Sequence, residues 1–167
     1  AKHLSKNAKR NLKEVQDWLE YQDAYTLHKP IRRKFKRRKT VSLYIDHIWQ
    51  LDLADVTSLA RYNDSYKYIL TCIDCFSRQA FAVAVKNKSA VEVKAGFQKI
   101  ICENDRVPAY VQTDKGSEFL SSVFLSFLQA NNIIHYTSEN DDIKCSLVER
   151  FNRTIKSKMW KYFTYSK

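Results

Sequence analysis

Glycine and proline are nearly missing from this chain: its 167 residues include two of each, Gly96 and Gly116, Pro30 and Pro108. Turns that depend on glycine's left-handed conformations or proline's fixed φ are excluded almost everywhere, so reversals must rely on Asn, Asp and Ser. That favours regular elements joined by short connections. No apolar run approaches the ~20 residues a bilayer-spanning helix needs, and no leader pattern opens the sequence, so no membrane partner is expected. The four cysteines, Cys72, Cys75, Cys102 and Cys145, lack the spacing of a disulfide framework and suit a reducing compartment. Cys72-x-x-Cys75 looks like half a zinc site. It lies in a strand-like run, however, where residues three apart point to opposite faces ~10 Å apart, so both are expected as small buried core residues.

Acids are scarce where bases are dense. The chain has 29 Lys and Arg against 18 Asp and Glu, a formal charge of +11. Residues 1–47 hold thirteen of the cations and five of the acids, net +8, and the remainder is net +3. This asymmetry points to a polyanion partner, with DNA or RNA ahead of a membrane because no lipid-facing amphipathic helix accompanies the charge. In Arg32-Arg33-Lys34-Phe35-Lys36-Arg37-Arg38-Lys39 seven of eight residues are cations, whose repulsion prevents independent folding. The run reads as a solvated linker or, with Phe35 offering a stacking surface, as a phosphate-tracking arm or nuclear-import signal. The length allows one full domain plus a short extension. Composition turns globular from Tyr44, which assigns 1–47 to a helical segment and basic linker and 48–167 to the folded core.

Leu12, Val15, Trp18 and Leu19 recur at helical spacing within 7–21, with Asn7 as the expected N-cap. Trp49 to Val56 reads as a central strand, apolar on both faces except at Asp52. Tyr66 to Asp74 and Gln79 to Val85 read as a hairpin turning at Cys75-Phe76-Ser77-Arg78. Ser89-Ala90-Val91-Glu92 is a capping box for a helix that buries Val93, Phe97, Ile100 and Ile101. After Pro108 come a short strand ending at Asp114, a helix capped by Ser117 with Phe124, Phe127 and Leu128 inward, and a strand from Ile133 to Thr137. Ser138 to Lys144 is polar loop, and an amphipathic helix runs from Ser146 to about Tyr162.

Three carboxylates carry the candidate chemistry. Asp114 ends a strand just before Lys115-Gly116; Asp52 interrupts the central strand; Glu149 opens the last helix, with 34 residues between it and Asp114. Each has a bland reading, since an acid before glycine is usually a turn residue and Ser146-Leu147-Val148-Glu149 is itself a capping box. Together the three would make a Mg²⁺ site, because that ion selects hard oxygen ligands. Phosphodiester cleavage needs a nucleophilic oxygen, a stabilised leaving oxygen and neutralisation of charge on phosphorus, and two Mg²⁺ ions ~3.5–4 Å apart, or Mn²⁺ in their place, can supply all three. Asp52 and Asp114 are expected as shared or adjacent ligands and Glu149 as the ligand of the second ion. Asn152, Arg153 and Lys156 share a helical stripe with Glu149 and are expected to hold the DNA backbone, while Val148, Phe151, Ile155, Met159 and Tyr162 form the buried stripe. Asp55 should face away from Asp52, Asp74 belongs to a turn, and Glu118 suits a first helical turn, so none of these is expected as a ligand.

The motifs Trp49-Gln50-Leu51-Asp52, Val111-Gln112-Thr113-Asp114-Lys115-Gly116-Ser117-Glu118-Phe119 and Val148-Glu149-Arg150-Phe151-Asn152-Arg153 resemble the catalytic core of retroviral-type integrases and related DDE transposases, over roughly residues 48–163. Tyr25-Thr26-Leu27-His28-Lys29-Pro30, the basic run and Met159-Trp160-Lys161-Tyr162-Phe163 are similar to integrases of Polinton/Maverick transposons. The resemblance implies an α/β, RNase H-like fold: a mixed five-stranded sheet flanked by helices, with a short helical and basic N-terminal extension. It also implies a homo-oligomer acting on DNA in the nucleus, trimming element ends and then joining the new 3′-hydroxyl to target DNA. A nuclease that only hydrolyses, or a transposon-derived DNA-binding protein without activity, would share the same residues. The spacing of 34 is one fewer than the usual retroviral arrangement. The family's amino-terminal zinc motif and its carboxy-terminal DNA-binding module are not found here, so a core-domain fragment of reduced activity is expected.

Overall fold

The structure is a computed structural model that describes residues 6–22, 40–137 and 145–165. The basic run 32–39 and the whole of the expected polar loop, 138–144, lie outside the described residues. The chain divides into two compact units, Ala1–Lys36 and Arg37–Lys167. In the first, helix α1 spans Lys6–Glu20 and takes in Asn7, the expected cap. Its Leu12, Val15 and Trp18 are exposed.

The second unit is built on five strands, β1 (Ile48–Asp55), β2 (Tyr68–Asp74), β3 (Ala80–Val85), β4 (Tyr110–Thr113) and β5 (Ile134–Thr137). Their order in the sheet is β3-β2-β1-β4-β5. The β1–β2 and β2–β3 pairs are antiparallel, and the β1–β4 and β4–β5 pairs parallel, so the sheet is mixed. The hairpin turns where the sequence places it, and Asp74 holds the turn by accepting from the backbone N–H groups of Phe76 at 3.1 Å and Ser77 at 3.3 Å. A 3-10 turn at Thr57–Tyr62, not anticipated from the pattern, follows β1.

Alternation along β1 sends Trp49 and Leu51 to one face of the sheet and Gln50 and Asp52 to the other. The first face carries the main core. Trp49, Leu51, Leu70, Cys72, Phe81 and Val85 pack there with Val93, Phe97, Ile100 and Ile101 of helix α2 (Ala90–Asn104). Each large apolar side chain so buried contributes about 1.5–3 kcal/mol. Helix α2 lies close to the sheet at Gly96, where an added Cβ would stand 3.1 Å from both Leu70 and Val85. Ser89 caps α2 as expected, accepting from Glu92 N–H at 3.4 Å.

The helix expected after Asp114 is two helices, and Ser117 does not cap the first: it is already helical, with Gly116 at the N-cap and no side-chain hydrogen bond there. The one-turn helix α3 (Ser117–Leu120) ends at Ser121, whose extended backbone breaks it and whose side chain caps α4 (Ser122–Ala130) by accepting from Phe124 N–H at 3.3 Å. Helix α5 (Ser146–Tyr165) covers the other face of the sheet, where Val148, Ile73 and Cys145 form a smaller cluster beside Leu147 and Phe151. It runs past the expected end at Tyr162, and Tyr162 itself, expected inward, is exposed. No helix among the described residues is long and apolar enough to cross a membrane.

Candidate active site

The site forms where two parallel strands part. β1 and β4 pair over Ile48–Gln50 and Tyr110–Gln112, and the pairing ends at Gln50↔Gln112. Asp52 and Asp114 each lie two residues further on, beside the opening. Asp52 is half-buried on the α5 face; its Oδ1 accepts from Leu53 N–H at 2.8 Å and its Oδ2 from Asn152 Nδ2 at 2.7 Å. Thr71, its partner on β2, donates a hydroxyl to the Asp52 carbonyl at 3.0 Å. Asp114 is exposed, and its Oδ1 accepts from Gly116 N–H at 3.0 Å. The turn is tight: a Cβ on Gly116 would stand 3.1 Å from Asp114 Oδ1 and 2.9 Å from Glu118 Cδ. Thr113 Oγ1 donates to the Asp114 carbonyl at 2.8 Å, which commits its only proton, so His135 Nε2, 2.9 Å away, must be the donor in that contact. Burial holds the His135 imidazole below its ordinary range.

Glu149 stands in the first turn of α5, and the expected capping box does not form. Ser146 is already helical, Glu149 N–H donates to the Cys145 carbonyl at 3.0 Å, and the helix start is capped from the sheet: Gln50 Oε1 accepts from Leu147 N–H at 3.1 Å and Val148 N–H at 3.3 Å. With the cap supplied by Gln50, the Glu149 carboxylate is left for other work. Asn152, one turn on and expected to hold the DNA backbone, is buried with its Nδ2 on Asp52; its Oδ1 is buried with no hydrogen-bond partner among the described residues. Of the other two residues expected on that stripe, Arg153 is exposed and Lys156 half-buried in a cleft of about 160 Å³ with Asp55, Met159 and Trp160.

Burial raises the Asp52 carboxyl above its ordinary range, the N–H of Leu53 opposes this, and the charges of Asp114 and Glu149 push it further up. Asp52 thus feels the charge of both other acids found in sequence. They are not drawn into a closed cluster: among the described residues no three His, Cys, Asp or Glu side chains stand close enough to hold a metal ion, and Asp114 is turned onto its own backbone. The donor set still suits a hard divalent cation, which would relieve the repulsion that raises Asp52. Burial and the charges of the same three carboxylates push the neighbouring Cys145 thiol up to about 12.

Two of the other acids weighed in the sequence are occupied elsewhere. Asp55, exposed at the end of β1, accepts from Thr57 N–H at 2.8 Å. Asp74 is fully buried and paired with Arg106 at 3.2 Å. Cys72 and Cys75 are buried, as expected. What the sequence reading missed is the pair Gln50 and Gln112. Their signal was present: each is the lone amide in an apolar strand, two residues before an aspartate and on its face.

The integrase core domain family model matches residues 45–142. A transposon-derived protein of Caenorhabditis elegans is 37% identical over 109 residues, covering 64% of this chain and 38% of that protein. The Gag-Pro-Pol polyprotein of human T-cell leukemia virus 2 is 33% identical over 119 residues, 70% of this chain and 8% of the polyprotein. The chain therefore spans well under half of either relative. Among solved structures, the HTLV-2 integrase catalytic core domain in complex with magnesium, in a trimeric form, has a TM-score of 0.61 at 30% identity, covering 74% of this chain and 76% of that one. The simian T-cell lymphotropic virus intasome in complex with the PP2A regulatory subunit B56 gamma gives a TM-score of 0.69 at 25% identity, over 91% of this chain and 53% of that one. The mixed sheet with helices on both faces is the RNase H-like fold of these cores.

Proposed function

Because the chain belongs to the integrase core domain family, we propose that it is a divalent-metal-dependent polynucleotidyl transferase that trims element DNA ends and joins 3′-hydroxyls to target DNA. The observation that carries this reading is the placement of Asp52 and Asp114, each two residues past the last β1–β4 pair, with Asn152, one turn after Glu149 on α5, hydrogen-bonded to Asp52. Asp52, Asp114 and Glu149 would hold the ions; Mg²⁺, when bound, supplies charge neutralisation at phosphorus and activation of the attacking and leaving oxygens. Asn152 and Leu53 N–H hold Asp52 in one orientation. Gly116 allows the tight turn that brings Asp114 to the edge of the sheet. Arg153, Lys156 and the cations of 32–39 would contact phosphates, which positions DNA without reading its sequence. Assembly of more than one copy, and a nuclear location through the basic run, belong to the same proposal.

The test is Mg²⁺-dependent cleavage and joining on a short duplex, with wild type beside Glu149→Gln. The substitution keeps size and polarity and removes the charge. Activity is expected to fall by orders of magnitude while DNA binding persists, and the melting temperature without metal should hold or rise as repulsion on Asp52 is relieved. Cleavage without joined strands would identify a hydrolytic nuclease. DNA binding without cleavage would identify a transposon-derived binding protein. Full activity in Glu149→Gln would remove Glu149 from the site and overturn the reading.

A further inference from the structure

Two amides are buried where a sheet ordinarily keeps apolar side chains. Gln50 is 1% and Gln112 4% exposed. They are register partners, the last pair that β1 and β4 make before the site. Gln50 Oε1 takes the backbone donors of Leu147 and Val148 from the first turn of α5. Two donors demand an acceptor, which fixes the orientation of the amide; Nε2 must then point back across the sheet, where it donates to Gln112 Oε1 at 2.9 Å. A chain of hydrogen bonds therefore runs from β4 through β1 to the peptide group beside Glu149. A helix start capped by its own loop can shift with that loop, whereas one capped by a side chain rooted two residues from Asp52 moves with the sheet. Leaving a buried amide unmatched is costly, so each partner holds the other in place.

We propose that the Gln50–Gln112 pair is a positioning clamp that sets where Glu149 stands relative to Asp52 and Asp114, and so sets how tightly the three carboxylates take a divalent cation. For its ligand the proposal rests on the metal-site reading above; for its geometry it rests on the hydrogen-bond chain alone. Neither glutamine is a ligand in this scheme. Both act through Glu149.

The deciding variant is Gln112→Leu in the full chain, because Gln112 is hydrogen-bonded to Gln50 rather than to the α5 amides; Gln112→Met, closer in shape, replaces it if the first does not fold. Two quantities are measured: hydrogen exchange of individual amides by NMR without metal, and Mn²⁺ affinity by EPR titration. Exchange at Leu147 and Val148 should rise severalfold while Leu51 and Leu70 in the sheet stay protected, and Mn²⁺ affinity should fall about tenfold or more, the usual effect of losing a residue that orients a metal ligand. Gln50→Leu should do the same. Gln50→Glu, which keeps an acceptor for both N–H groups, should restore their protection. A pair that serves stability alone would raise exchange in sheet and helix together, and that result, or unchanged exchange at Leu147 and Val148, would overturn the clamp. Mn²⁺ uptake that is absent from wild type, or unaffected by Asp52→Asn, would sink the metal-site reading and the cation half of the proposal, leaving amide exchange to decide the geometry.

Discussion

At the scale of single residues, the informative atom is the buried Oδ1 of Asn152, which has no hydrogen-bond partner among the described residues. Its Nδ2 is spent on Asp52, so the side chain has been oriented for a carboxylate. Replace Asp52 by asparagine and Asn152 can turn over, presenting Oδ1 to the new amide while Leu53 N–H keeps its acceptor. The exchange keeps the hydrogen bond between the two side chains, with the Asn152 amide nitrogen taking the place of Oδ1, and removes a buried charge repelled by Asp114 and Glu149. Asp52→Asn should therefore melt higher than wild type near pH 7 without divalent cations, by about 2–4 °C, the shift that a stabilisation on the order of 1 kcal/mol gives in a chain of this size. The sign with pH follows from the raised carboxyl. A folded value above the unfolded 3.8 means that ionisation weakens the native state, so the gap between variant and wild type should close as pH falls through Asp52's folded value and be gone below about 3.8. Thermal melts of both proteins from pH 3.5 to 7.5 check this. A lower melting point for the variant at pH 7 would show that Asp52 stabilises the fold as an ion, against the reading of a strained ligand.

At the scale of elements, the opposite end of the sheet is held by one guanidinium. Arg106 Nε donates to Asp46 at 2.9 Å and Nη1 to Gln79 at 2.7 Å, Nη2 reaches Asp74, and the plane lies near Trp49 and Phe81. It joins the approach to β1, the β2–β3 turn and the segment before β4. Arg106→Leu would leave the fully buried Asp74 without its cation and should cost about 2–4 kcal/mol, the lower figure reflecting the partial exposure of Arg106 and Asp46. Burial raises Asp74, but the hydrogen bonds of Ser77 and Phe76 outweigh it and hold the carboxyl below its ordinary range. Its contribution is thus complete above about pH 3.8 and lost as pH falls through the lowered value, and Arg106→Leu should move acid unfolding to higher pH. Urea melts at pH 7 and pH 4 measure both effects; equal stability of variant and wild type would show the cluster to be solvated surface. The two buried glutamines left a signal in the sequence, but the partners of this hub and of Gln50 could not be read there, and for one reason. The elements follow from periodicity and the three acids from their motifs, both local signals, whereas Arg106 meets Asp46 60 residues away and Gln50 meets Leu147 97 residues away. The capping box at Ser146 failed on the same ground, because a local partner was available and a distant one took its place. The division at Ser121 left a local signal, since a serine able to cap stood in the sequence three residues before Phe124, while the cap expected at Ser117 did not form.

At the scale of the whole molecule, charge and chemistry are separated along the chain. The carboxylates lie in the second unit, and most of the surplus positive charge precedes the sheet, seven cations of it in Arg32 to Lys39. If that run tracks phosphates, its loss should weaken DNA binding uniformly across sequences, because backbone contacts carry no base information. Each phosphate contact removed releases fewer counterions and should flatten the dependence of log affinity on log salt by about 0.9. Arg153 and Lys156, beside the carboxylates on α5, should behave differently. Arg153→Ala would take away one contact and about one such step in slope, and would also lower the rate of strand cleavage at saturating DNA, since under the proposed function it would stand next to the reacting phosphate. The measurement is fluorescence anisotropy on unrelated duplexes of equal length from about 50 to 200 mM salt, comparing wild type, a deletion of 32–39 and Arg153→Ala. A salt slope untouched by the deletion would leave the run as linker or import signal. A deletion that altered preference between duplexes, at unchanged slope, would mean that the run reads bases and would overturn the division of labour between arm and site.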